Sequence, residues 1–77
     1  MSQDLPRKTL REWRTSKFLT QEELAVKVGV TFYTISNWEL GIKQPRFKNL
    51  RALAAALDIR PEQIEPTQGK ENPVAAA

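Results

Sequence analysis

Two short helical patterns that meet at a glycine constrain this chain more than any other feature: Thr20 to Gly41 reads TQEELAVKVGVTFYTISNWELG. Thr20 followed three residues later by Glu23 is a capping box, in which each side chain satisfies the other residue's free backbone amide, so a helix begins at Gln21. Leu24, Ala25 and Val28 form its apolar face, and Gly29 suits the left-handed residue that ends it. Thr31 caps the next helix, which runs through Leu40 with Ile35 and Trp38 inward and stops at Gly41. Ala25, Gly29 and Ile35 fall at the spacings that let the second helix cross closely over the first; a side chain larger than Ala25 would hold the two apart.

The flanks are helical too, and no strand-like alternation of any length appears. Asp4 with Pro6 soon after marks the start of a first helix that ends near Lys17, with Leu10, Trp13 and Phe18 as its inward stripe. After a loop from Ile42 to Pro45, Phe47, Leu50, Leu53, Ala54 and Leu57 recur at helical spacing in a fourth helix. Asp58 to Pro61 breaks that helix, and PEQI forms a last turn that buries Ile64. Beyond Pro66 the stretch TQGKENPVAAA has no periodicity and reads as a flexible tail. The expected organisation is one domain over residues 1–65 and a tail over 66–77.

A chain of 77 residues lies near the lower size at which one apolar core suffices without staples. Cysteine and histidine are both absent, which excludes a disulfide framework and the usual metal-ligand sets. No run approaches the roughly 18 apolar residues of a membrane span, and MSQDLPRKTL lacks the apolar core of a signal peptide. A soluble, unprocessed cytoplasmic protein is expected, with no membrane contact and no cofactor. An enzyme lacks its parts: there is no glycine-rich phosphate loop and no acid pair in a pocket, and Glu22 with Glu23 merely complements a helix dipole.

Net charge is +3, which by itself points only weakly to an anionic partner. Its distribution says more. From Gly41 to Arg51 stand four cations, Lys43, Arg46, Lys48 and Arg51, and no acid. From Asp58 to Glu71 acids outnumber bases. The basic character is therefore concentrated in the middle of the chain, as a phosphate-facing patch requires.

Arg14, TQEELA, the Val28-Gly29-Val30 turn, TIS.WE.G from Thr34 to Gly41, Pro45, and L..LA.AL from Leu50 to Leu57 together resemble the Cro/repressor-type helix-turn-helix family, also called the Xre family. The resemblance spans about Leu10 to Ile64. It implies an all-α, lambda-repressor-like bundle of about five short helices with the helix-turn-helix at residues 21–40. It also implies an ion pair between Arg14 and Glu39 that ties the first helix to the end of the third; such a pair secures geometry more than it adds stability.

By the same resemblance the third helix enters the major groove of double-stranded DNA. Phe32, Tyr33, Ser36 and Asn37 then face the base edges, with Asn37 suited to adenine and either aromatic ring suited to a thymine methyl. Phosphate contacts are expected from Gln21 at a helix N-terminus, from Thr31 and Thr34, and from Lys43, Arg46 and Lys48 in the segment that follows. Arg46 occupies the site where the family commonly carries a Ser or Thr cap for helix four, so that cap is poorer or shifted. The competing readings are that Lys43 and Lys48 are ordinary solvated charges and that Phe32 and Tyr33 meet a protein.

A domain this small contacts few base pairs, so specific binding calls for two half-sites about one helical turn apart and a weak or DNA-assembled homodimer. The functional expectation is a small transcriptional regulator, a repressor by promoter occlusion. The alternative is a protein-interaction module on the same fold, for example an antitoxin with a toxin or regulator as partner.

Overall fold

The computed structural model describes residues 5–67. Four helices follow one another: α1 (Leu10–Ser16), α2 (Gln21–Val28), α3 (Phe32–Leu40) and α4 (Phe47–Leu57). A single 3₁₀ turn (Pro61–Gln63) takes the place of a fifth helix. Lys8–Thr9 (β1) and Ile64–Glu65 (β2) pair in parallel, Lys8 opposite Ile64 and Thr9 opposite Glu65. None of the helices among the described residues is long and apolar enough to cross a membrane.

The first helix starts later than Asp4 and Pro6 suggest. Thr9 caps α1 and forms a second capping box: its Oγ1 accepts from the Glu12 amide at 3.3 Å, and Glu12 Oε1 accepts from the Thr9 amide at 2.9 Å. The residues before it are drawn into the ribbon with β2, which commits them to extended backbone. The closure rests on Gln63, a buried polar residue with no apolar signal. Trp13 Nε1 donates to its carbonyl at 2.8 Å, and its own side chain donates to the Pro6 carbonyl at 3.1 Å and accepts from the Arg60 amide at 3.0 Å. The ribbon is so short that no alternation could have announced it.

Leu10, Trp13, Leu24, Ala25, Ile35, Trp38, Leu53, Leu57 and Ile64 form one core, a member from every helix plus the closing strand. Leu50, Val28 and Ile59 pack against it half-buried. Two expected core residues lie outside it. Phe18 is 92 % exposed, because its φ of 59° puts it in the left-handed region just past α1 and turns its side chain into solvent. Phe47 is exposed as well; it is the first residue of α4, at the edge of the apolar stripe, where the Arg51 guanidinium lies 5.9 Å from its ring centroid.

α2 ends as its sequence predicts. Gly29 has φ 85°, and the amides of Gly29 and Val30 both return to the Ala25 carbonyl, at 2.8 and 3.0 Å. Gly41, at φ 78°, closes α3 in the same way. At the C-terminal edge the Gln44 side chain donates to the Thr67 carbonyl at 2.9 Å, so Thr67 is tied to the domain; the remainder of the expected tail, residues 68–77, lies outside the described residues.

Candidate nucleic-acid interface

The interface rests on the junction of α1, α2 and α3, where one buried carboxylate ties the three helices together. Glu39 sits in the last turn of α3 with its side chain 3 % exposed. It accepts from Arg14 Nε at 2.5 Å and Arg14 Nη2 at 3.1 Å, a bidentate pair, and from Gln21 Nε2 at 2.9 Å. Arg14, its side chain only 12 % exposed, uses its remaining nitrogen, Nη1, on the Leu19 carbonyl at 2.8 Å. One cluster thus joins α1, the α1–α2 turn, the first residue of α2 and the end of α3. Charge-assisted, bidentate bonds of this kind hold orientation better than single neutral ones.

Beside that cluster lies an open polar cleft of about 340 Å³, lined by Arg11, Arg14, Gln21, Ser36, Glu39 and Leu40. At its edge α2 presents its N-terminus. The Thr20 and Glu23 side chains satisfy the Glu23 and Thr20 amides at 3.0 and 2.8 Å. Among the described residues the amides of Gln21 and Glu22 have no protein acceptor, as expected for the first turn of a helix. They and the helix dipole favour an anion there. Gln21 is half-buried, and its amide nitrogen is committed to Glu39 through one of its two hydrogens; the other remains to donate. Arg11, exposed on the rim of the cleft, was missed from the sequence. Its signal was present: it stands three residues before Arg14, on the same side of α1.

α3 divides cleanly by burial. Ile35, Trp38 and Glu39 point inward. Phe32, 38 % exposed, and Tyr33, 75 % exposed, stand together in its first turn with ring centroids 5.4 Å apart at 66°, edge to face. Ser36 and Asn37 follow one turn later and are half-buried, so they lie at the flank of the outward face and the aromatic pair dominates it. Thr31 caps the helix by accepting from the Thr34 amide at 3.2 Å, and the two threonine hydroxyls bond each other at 3.1 Å.

The cations follow directly. The Ile42 and Lys43 amides fold back to the Asn37 carbonyl at 3.0 and 3.3 Å, which places Lys43 against the end of α3. Arg46 is the N-cap of α4 in extended backbone and makes no capping bond with its side chain. Lys43, Arg46 and Lys48 are all exposed. Among the described residues the Arg46 guanidinium makes no hydrogen bond or ion pair, and it stands on the same connection that leaves α3.

Comparison with known proteins gives this geometry its context. A helix-turn-helix family model matches residues 10–64. Among solved structures, the restriction-modification controller protein C.AhdI from Aeromonas hydrophila is 41% identical, with a TM-score of 0.68 over 70% of this chain and 82% of that one. The P22 c2 repressor, solved in complex with a synthetic operator, is 33% identical with a TM-score of 0.68 over 73% of this chain and 86% of that one. No curated protein sequence matches the chain. The matched span runs from the start of α1 to the closing strand, and so takes in the Glu39 cluster, both glycine stops and the outward face of α3: the chain belongs to the helix-turn-helix family of the Cro/repressor type, a family of DNA-binding transcriptional regulators and not of enzymes.

Proposed function

We propose that the protein binds double-stranded DNA sequence-specifically as a small transcriptional repressor, with α3 in the major groove. The carrying observation is the division of α3: a core-facing side locked by Ile35, Trp38 and Glu39, and an opposite side on which Phe32 and Tyr33 stand exposed among the described residues. In this pose Phe32, Tyr33, Ser36 and Asn37 approach base edges. The helix N-terminus at Gln21, the Thr31 and Thr34 hydroxyls, and Lys43, Arg46 and Lys48 approach phosphates on either side. Such contacts position the helix, and base edges select the site.

Two copies on half-sites about one turn apart supply the affinity that one domain lacks, as a weak homodimer or one assembled on the DNA. Occlusion of a promoter is the mechanism proposed for the protein. The controller and the operator-bound repressor named above support the reading by fold and by identity.

The test is charge reversal at Lys43 and Arg46 together, measured on duplexes selected by the full chain from a random pool. Affinity is expected to fall by at least tenfold, and the slope of log affinity against log salt by roughly two, about one per lost phosphate contact. An unchanged affinity and slope would remove the major-groove pose and leave the α3 face for a protein partner.

A further inference from the structure

Resting on the DNA-binding reading above, we propose that the Phe32–Tyr33 pair makes this protein a reader of pyrimidine 5-methyl groups, so that its sites are specified mainly by thymine. The major groove offers hydrogen-bonding edges and one apolar group, the C5-methyl. Which of these a helix can use depends on what it exposes.

α3 exposes no formal charge. Its one ionisable acid is Glu39, buried and engaged by Arg14 and Gln21. Arginine or lysine, the usual bidentate partners of guanine, and an exposed carboxylate for the cytosine amino group are all missing from this helix. Only Asn37, half-buried, could pair in bidentate fashion, and its partner of choice is adenine. The largest exposed area on the reading face is aromatic, and in the groove it can be matched only by methyl groups.

The geometry suits that task. Phe32 is partly held by the protein and Tyr33 stands further out, and their edge-to-face contact at 5.4 Å braces both rings. Rings with two side-chain torsions that already support each other lose little freedom when a methyl group docks against them. Asn37 lies four residues beyond Tyr33, one turn along the same side. An adenine read by Asn37 next to a thymine methyl read by the rings fits that spacing. The four cations from Gly41 to Arg51, with no acid among them, favour DNA over an apolar protein partner for this surface.

The experiment uses duplexes selected by the full chain, resynthesised with deoxyuridine in place of one thymine at a time. This substitution removes only the methyl group and leaves the protein untouched. At one or more positions affinity is expected to fall roughly fourfold, the effect of exposing one buried methyl. In a Phe32→Ala/Tyr33→Ala variant, checked for a cooperative thermal transition, the same position should bind thymine and uracil equally. Tight, salt-dependent binding that is indifferent to uracil everywhere overturns methyl reading and leaves the DNA-binding reading standing. A uracil-sensitive position that persists in the double variant assigns the methyl contact to another side chain and overturns the role of the pair. Absence of any salt-dependent duplex binding overturns both readings.

Discussion

The turn from α1 to α2 and the turn from α2 to α3 do the same job by different means. Each passes through one residue in left-handed backbone, Phe18 at φ 59° in the first and Gly29 at φ 85° in the second. Glycine adopts that conformation freely, whereas a bulky side chain is strained there by contact between its Cβ and the backbone. The second turn is therefore a local property of its residue. Both turns return an amide to the carbonyl five residues back, Leu19 to Arg14 at 3.2 Å and Val30 to Ala25 at 3.0 Å, but the first is also held from outside, by Arg14 Nη1 donating to the Leu19 carbonyl at 2.8 Å. Arg14 is held in turn by Glu39, so a turn near residue 18 depends on a carboxylate in α3. A strained turn next to the recognition unit survives because the tertiary structure over-determines it.

The largest way to break this comparison is Glu39→Ala. It leaves the Arg14 guanidinium without its partner at a site where both side chains are largely buried, at an expected cost of about 3 kcal/mol. Urea unfolding measures it, and hydrogen exchange should show the amides around Leu19 losing protection while Gly29 and Val30 change less. Equal loss at both turns would mean that the first is not specially dependent on α3.

A smaller effect is expected at the second turn. An added Cβ at Gly29 meets nothing within 4 Å, so Gly29→Ala carries only the backbone penalty, about 1 kcal/mol. The Tm should drop with the fold intact, and Gly29→Asn should recover part of the loss, because asparagine tolerates the left-handed region. If both variants are equally damaged, something other than φ is at stake.

The smallest effect has the opposite sign. Phe18 buries almost nothing, so Phe18→Gly relieves the strain without losing packing, and the entropy of glycine in the unfolded chain offsets part of the gain. A net stabilisation of about 0.5 kcal/mol is expected by chemical unfolding. Destabilisation would show that the aromatic ring holds the turn after all.

Much of this was legible in the sequence, for identifiable reasons. Thr20 with Glu23, Thr31, Gly29 and Gly41 act on backbone groups within four residues, so the bounds of α2 and α3 could be read directly. Leu24, Ala25, Ile35 and Trp38 were legible as core because helical spacing puts them on one side. Phe47 and Phe18 were misjudged because periodicity does not tell a stripe's edge from its centre, nor where the last helical residue lies. Thr9 with Glu12 is as plain a capping box as Thr20 with Glu23, but Asp4 and Pro6 competed with it, and only pairing with β2 decides between them.

The candidate interface divides along the same line. Phe32, Tyr33, Lys43, Arg46 and Lys48 were readable as exposed polar or aromatic groups around one helix. Spacing alone puts Arg11 on the Arg14 side of α1, but the cleft it borders and the second role of Gln21, as a donor to Glu39, required the three helices to be assembled.

What the sequence determined by itself is everything that closes within a helical turn or repeats with one: caps, glycine stops and the apolar stripe, since those energies depend on neighbours a fixed few residues away. What only the tertiary structure decided joins residues 50 to 57 positions apart: Gln63 with Trp13 and Pro6, and the pairing of β1 with β2; the Arg14–Glu39 pair was implied by the family resemblance and by no spacing along the chain, and the structure bears it out. Polar groups that meet at such separations carry no periodic trace, because their partners are chosen by the fold and not by spacing along the chain.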